Sequence, residues 1–310
     1  MPVPGLVRIL DATLVVGAAS VVAAAVAGLG ADLSWRLALL EHLRAHLLVA
    51  AVAIAVLAAL RRRTAVTDAA LLAALLHAAI VLEVAWPGPL PAGPPLRIVS
   101  LNVHTESQAF ARVARFIAAS DADVVVLLEV DRAWLAALAI DAGAYPLRVE
   151  VPRDDNFGIA VYARRRGTAE VRDLEGLPTV VLHLDAVPER WTVIATHPTP
   201  PVGAAMAATQ ARQLASLAAL ARAPGPTVVV GDLNLTPWSR RLRRLREAAG
   251  LRDSRGAFAY HASWPSALGP LGIPIDHVLV SADVAVVERR VGPDVGSDHR
   301  GVIVDVAPGR

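Results

Sequence analysis

The rhythm of apolar positions changes once along the chain, near residue 96. Before that point apolar residues run together in three long blocks, Ile9 to Leu29, His46 to Leu60 (Leu37 to Leu60 if its flank is counted) and Ala69 to Trp86. A bilayer core asks for about 20 predominantly apolar residues in a helix. The first block suffices, and the other two do so with their flanks, so the pattern predicts an N-terminal three-helix transmembrane region over residues 1–86. A cleavable signal peptide is the competing reading of the first block, but only Arg8 precedes it and further blocks follow at once. Residues 87–96 are punctuated by Pro and Gly, the composition of a semi-rigid spacer. They separate the blocks from a second domain at 97–310.

In that second domain short apolar runs alternate with Ala-rich helical patterns. LRIVSLNV, DVVVLLEV, FGIAVYA, TVVLHL, WTVIATH, TVVVGDLN, DHVLVS and GVIVDV read as strands, most of them apolar on successive residues and hence buried on both faces. Helical spacing fits Gln108 to Ala119, Ala133 to Leu138, Met206 to Ala221 and Arg240 to Ala249. The alternation predicts an α/β domain, and hairpin-like strand pairs that interrupt it imply at least two sheets.

Polar residues fall at the ends of these strands. Asn102, Glu129, His197, Asp232 and Asn234 follow apolar runs, Asp276 opens DHVLVS, and Asp298 and His299 directly precede GVIVDV. Ligands of α/β sheets gather at strand ends, where the backbone is fixed and side chains converge. Asp232 and Asn234, two residues apart, would share a face if the strand continued through them.

The chemistry of this set is restrictive. Glu129 and Asp298, helped by Asn102, are oxygen donors of the kind a hard divalent cation takes, which points to Mg²⁺ or Mn²⁺ rather than zinc. A His such as His299 beside an Asp such as Asp276 can be held as a proton donor to a phosphoryl oxygen, and Asp232 can orient or deprotonate a water. Together they suit in-line hydrolysis of a phosphoester, in which positioning and charge stabilisation do most of the catalysis.

Composition narrows the field further. Cys is absent, which excludes disulfides, thiolate metal sites and a Cys nucleophile. All 30 basic residues are Arg, and the region after residue 96 carries 24 of them against 23 acidic residues. A near-neutral domain lacks the basic stripe that nucleic-acid backbones favour.

These motifs also carry a resemblance. NV at Asn102, LLEV at Glu129, THPTPP at His197, GDLN at Asp232 to Asn234, IDHVLVS at Asp276 and SDHRGVIVDV at Ser297 to Val306 resemble, in order, the endonuclease/exonuclease/phosphatase superfamily. The resemblance implies a four-layer α/β sandwich with two central β-sheets. It implies Asn102, Glu129 and Asp298 as metal-site residues, His197 and Asn234 as contacts to phosphate, and Asp232 as the residue that orients or activates water. Asp276 would buttress His299, the stabiliser of the pentacovalent phosphorane. His104 departs from the pattern near the metal. With the membrane blocks, the chain is similar to bacterial membrane-anchored members associated with teicoplanin resistance in actinobacteria, for which the implied substrate is a phosphorylated, lipid-linked envelope component.

Arg61, Arg62 and Arg63 form the densest basic cluster of the N-terminal region. By the positive-inside rule they lie in the cytoplasm, which makes the protein a multi-pass protein of the cell membrane with an extracytoplasmic second domain. The sequence expectation is therefore a membrane-anchored, metal-dependent phosphoric ester hydrolase whose partners are the lipid bilayer and a phosphorylated substrate, nucleic acid being less favoured. An extracytoplasmic nuclease and a catalytically silent membrane scaffold are the alternatives.

Overall fold

The computed structural model describes residues 4–82, 88–185, 190–256 and 259–310. Glu83 and Trp86, which close the third apolar block, lie outside the described residues. The chain forms two compact units, the N-terminal helices and the α/β domain.

The helical unit contains α1 (Pro4–Ala27), α2 (Trp35–His42), α3 (Arg44–Leu60) and α4 (Thr64–Val81). By length and composition, α1 continued through Gly30 and α4 could each cross a membrane. The second apolar block differs from a plain helix: α2 and α3 are bent by 64° at Leu43, and the pair supplies a third span only if counted together. Small residues let these helices approach closely, with Ala51, Ala55, Ala70 and Ala73 buried at their contacts. Asp11 on α1 binds Arg61 (3.1 Å) and Arg63, which join the N-terminal part of α1 to the turn between α3 and α4.

In the second unit, twelve strands form two six-stranded sheets. The first has the order β11-β12-β1-β2-β4-β3 and comprises β1 (Leu96–Asn102), β2 (Val124–Leu128), β3 (Leu147–Val151), β4 (Ile159–Ala163), β11 (Val284–Val291) and β12 (Val302–Pro308). The order of the second is β5-β6-β7-β8-β10-β9, from β5 (Gly167–Leu174), β6 (Leu177–Leu184), β7 (Trp191–Thr196), β8 (Thr227–Asp232), β9 (Leu251–Asp253) and β10 (Asp276–Ser281). The pairs β1/β2 and β7/β8 are parallel and the rest antiparallel. Helices α5 (Phe110–Ser120) and α6 (Arg132–Leu138) cover the first sheet, while α7 (Ala204–Leu220) and α8 (Arg240–Ala249) cover the second.

Alternation along each central strand creates these four layers. On β2, Val124, Val126 and Leu128 point into the core between the sheets, where they meet Val180, Val193, Val228 and Val278 of the second sheet. Val125 and Leu127 point the other way, against Val113, Phe116 and Trp134 of the helical layer. Both faces are dry, so an unbroken apolar run is what this position requires. Burying each such Val or Leu stabilises the fold by roughly 1.5–3 kcal/mol.

The eight apolar runs are all strands, but four further strands were not signalled by apolar runs: β3, β5, β9 and β11. Each lies at an edge of a sheet. An edge strand with one exposed flank admits charge, as the Glu170, Arg172 and Asp173 of β5 and the Glu288, Arg289 and Arg290 of β11 illustrate.

Candidate functional site

Strand order alone brings the polar strand ends together. Asn102 ends β1 opposite Leu128 of parallel β2, which places Glu129 beside it. Asp232 ends β8 directly across from Asp276, the first residue of antiparallel β10. His197 follows β7, the parallel neighbour of β8. Ser297 to His299 lead into β12, which pairs with β1.

Side chains complete the junction between the two sheets. The Asn102 amide Nδ2 donates to Glu129 Oε1 at 2.7 Å and, more weakly, to Asp232 Oδ2 at 3.4 Å. Glu129 leaves the strand with φ 60°, and its Oε2 and main-chain O accept from Thr105 N at 3.4 Å and Thr105 Oγ1 at 2.9 Å. Ser297 Oγ donates to Asn102 O at 2.7 Å and accepts from His299 N at 3.0 Å, so it ties the loop before β12 to the end of β1.

Two imidazoles converge on one carboxylate. Asp232 Oδ2 lies 3.5 Å from His197 Nε2 and 3.6 Å from His299 Nε2, and His299 Nδ1 is hydrogen-bonded to Asp276 Oδ2 at 2.9 Å. All of these side chains are buried, with Asp232 at 1% exposure and His299 at 4%. Burial would raise the Asp232 carboxyl, but His299 and His197 hold it down at about 2. Burial would lower the His299 imidazole, but the carboxylates of Asp276 and Asp232 override it and push it up to about 10. At neutral pH the arrangement is an imidazolium held between two carboxylates. The Phe157 ring packs 5.2 Å from His197, and that of Trp264 6.4 Å from His299.

The Asp232–Asn234 pair differs from the expected strand spacing. β8 ends at Asp232, Asn234 takes a left-handed conformation (φ 54°), and its N–H donates to Asp232 Oδ1 at 2.8 Å. The two side chains therefore do not project as strand neighbours. An Asx turn replaces the last strand residues because the Asp carboxylate captures the backbone donor that a ladder would otherwise use. Asn234 still reaches the neighbourhood of His197, since its Nδ2 donates to Pro198 O at 3.0 Å.

Asp298 stands a short step from the imidazoles. Its Oδ2 accepts from Trp264 Nε1 at 3.0 Å, while Oδ1 is 3.4 Å from His104 Nδ1 and has no hydrogen-bond partner. Among the described residues, Asp232, Asp276 and His299 are the group whose ligand atoms lie within 4.8 Å of one another in the way a metal ion would need. A protonated His299 cannot ligate, so cation binding by this trio would require loss of that proton. Glu129 and Asp298 are not part of that group, although their oxygens are the hard donors a Mg²⁺-type ion takes and Asp298 Oδ1 is a buried acceptor with no donor. That orphaned oxygen is a hard donor of the kind a divalent cation takes.

Three supporting residues escaped the motif reading. Thr105, Ser263 and Arg289 carry no chemical signature in sequence, and the fold alone brings them in. Ser263 Oγ accepts from Ile275 N and Asp276 N at 3.2 and 3.3 Å. Half-buried Arg289, from β11 of the other sheet, donates to Asp276 O at 3.0 Å and to Ser254 Oγ at 2.6 Å.

Comparison with known proteins agrees with this geometry. The model of the Endonuclease/Exonuclease/phosphatase family matches residues 99–299. No curated protein sequence matches the chain. Among solved structures, an endonuclease/exonuclease/phosphatase from Beutenbergia cavernae is 24% identical with a TM-score of 0.56, over 70% of this chain and 72% of that one. TDP2 of D. rerio complexed with a single-strand DNA product is 18% identical with a TM-score of 0.57, covering 68% and 98%. Sphingomyelinase C from Streptomyces griseocarneus is 21% identical with a TM-score of 0.52, covering 69% and 99%. At these identities the likeness is one of fold.

Proposed function

This chain belongs to the endonuclease/exonuclease/phosphatase family, and from that premise we propose that it is a membrane-anchored, divalent-metal-dependent phosphoesterase that hydrolyses a phospholipid or lipid-linked phosphate on the extracytoplasmic side. The observation that carries the chemistry is the buried His299 ring held between Asp276 and Asp232.

In this reading Asp232, ionised far below neutrality, orients the attacking water and takes its proton. His299 holds a proton at Nε2 and offers it to a non-bridging phosphoryl oxygen as negative charge builds there. Asp276 fixes the other ring nitrogen and thus the direction in which Nε2 points. His197, whose Nε2 lies 3.5 Å from the same Asp232 oxygen, and the Asn234 amide add donors for the phosphoryl group. Glu129 and Asp298, with Asn102, would hold the cation, which when bound supplies charge to the phosphoryl oxygens and the leaving group. Trp264 and Thr105 fix the carboxylates of Asp298 and Glu129 by hydrogen bonds.

Membrane attachment is supported by the two apolar helices and the bent pair, and the outward orientation by Arg61 to Arg63 between α3 and α4. A nuclease is the second reading, favoured by the fold shared with the DNA-bound TDP2. Full-length protein assayed with Mg²⁺ and Mn²⁺ against phospholipids, polyprenyl phosphates and plasmid DNA, beside Asp232→Ala and His299→Ala, separates them. Cleavage of DNA alone would sink the lipid reading, and a reporter after Arg310 active only in the cytoplasm would sink the orientation.

A further inference from the structure

Residues 262–275, ASWPSALGPLGIPI, form a run without a single charged side chain. In the structure this run is a loop closed at its neck. Ser263 N and Trp264 N donate to Ile273 O at 3.1 and 3.0 Å, Ile273 N returns a bond to Trp264 O, and Tyr260 OH donates to Gly272 O at 2.8 Å. Its base is fixed to the catalytic loop, since Ser266 N donates to Asp298 O at 2.7 Å and Ser266 Oγ to Ser297 O at 2.7 Å. Beyond that neck the tip faces solvent. Leu268 is 52% exposed, Leu271 66% and Trp264 36%, with Pro270 between the two leucines.

Large apolar side chains grouped on a surface mark a binding site. Here the grouping borders the phosphoester site through the Trp264 bond to Asp298. Its chemistry selects the occupant. A nucleic-acid backbone needs cations, and this loop has none. An apolar tip with an indole at its root suits the boundary between headgroups and acyl chains, where Trp is enriched and leucines can be buried. A bilayer is within reach, because the fourteen residues between Val81 of α4 and Leu96 of β1 can span at most about 50 Å.

We propose that the 262–275 loop is a lipid-contacting lip of the phosphoester site. Leu268 and Leu271 enter the acyl region of the bilayer, and the scissile phosphate of a lipid substrate is thereby brought level with Asp298 and His299. The proposal rests on the phosphoesterase reading above and gives that site its substrate class.

The absence of Cys from the chain makes a direct test clean. Full-length Leu268→Cys and, separately, Leu271→Cys are labelled with bimane and reconstituted into phosphatidylcholine vesicles with about 20 mol% phosphatidylglycerol. They are compared with the same label at Val171→Cys, an exposed apolar position on β5. Lipids brominated in the acyl chain should quench the labels at 268 or 271 at least twofold more than the label at 171. Equal quenching at all three positions, or a response of the loop labels to oligothymidylate but not to brominated lipid, overturns the proposal. Hydrolysis of the water-soluble ester bis(p-nitrophenyl) phosphate, measured on the same vesicles, separates the two ideas. Hydrolysis without loop quenching removes the lip and keeps the enzyme. Loop quenching without hydrolysis keeps the lipid contact and removes the phosphoesterase reading.

Discussion

His299 Nδ1 and Asp276 Oδ2 are 2.9 Å apart, and both side chains are almost completely buried. The contact joins a loop that enters the first sheet to the first residue of a strand in the second, so the site's central ion pair also stitches the two sheets together. An Asn at 276 keeps the shape but can no longer balance the imidazolium. Asp276→Asn should therefore lower kcat by roughly 10²- to 10⁴-fold, the contribution typical of a positioned acid or base, with a much smaller change in KM. Steady-state kinetics on any hydrolysed phosphoester checks this, and a loss confined to KM would contradict the assigned role.

The same pair predicts how stability varies with pH. His299 has a folded pKa of about 10 against an ordinary value of 6.5, so the folded state holds its proton more tightly. The resulting stabilisation is fully present below about pH 6.5 and is lost as pH rises through about 10. Asp232 runs the other way: its folded pKa of about 2 lies under the ordinary 3.8. Its contribution is present above about pH 4 and disappears as pH falls through about 2. Thermal denaturation should give a plateau between these windows, and Asp276→Asn should bring the alkaline fall to lower pH.

Asn102 bridges Glu129 and Asp232 through one amide nitrogen. Asn102→Ala leaves the two carboxylates without that shared donor and Glu129 without its shortest hydrogen bond. Affinity for Mg²⁺ or Mn²⁺ should fall by about 10- to 100-fold, the usual cost of disturbing the support of a metal ligand. Isothermal titration reads this directly. EDTA should abolish hydrolysis by the wild-type protein, and added Mg²⁺ or Mn²⁺ should restore it.

Gly231 precedes Asp232 at φ 147°, and a Cβ built there would lie 2.0 Å from Thr196 O on neighbouring β7. Neither the backbone angle nor the space admits a side chain. Gly231→Ala should destabilise the fold by roughly 2–4 kcal/mol, seen as a lowered Tm. It should also push Asp232 away from His197 and His299, so activity should fall even in the molecules that remain folded.

Legibility of the fold followed burial. Central strands such as β2 and β8 pack apolar side chains on both faces, and an unbroken apolar run is the only pattern that does this. The edge strands β3, β5, β9 and β11 have a solvent flank, mix charge with apolar residues, and so resemble loops in sequence. The bend between α2 and α3 at Leu43 is likewise invisible in an apolar block that reads as one helix.

For the site, the sequence by itself determined the donor types and their placement at strand ends, since Asn102, Glu129, His197, Asp232, Asp276, Asp298 and His299 all border apolar runs. Strand order, and with it the pairing of distant segments, was decided only by the tertiary structure. Asp232 lies opposite Asp276, and His299 between them, because β8 pairs with β10 and β12 with β1. The Asx turn at Asn234, the Trp264 bond to Asp298 and the reach of Arg289 between sheets depend on those pairings too. Local pattern follows from each residue's own burial and charge, whereas a pKa near 10 at His299 needs carboxylates that are neighbours only once the two sheets have packed.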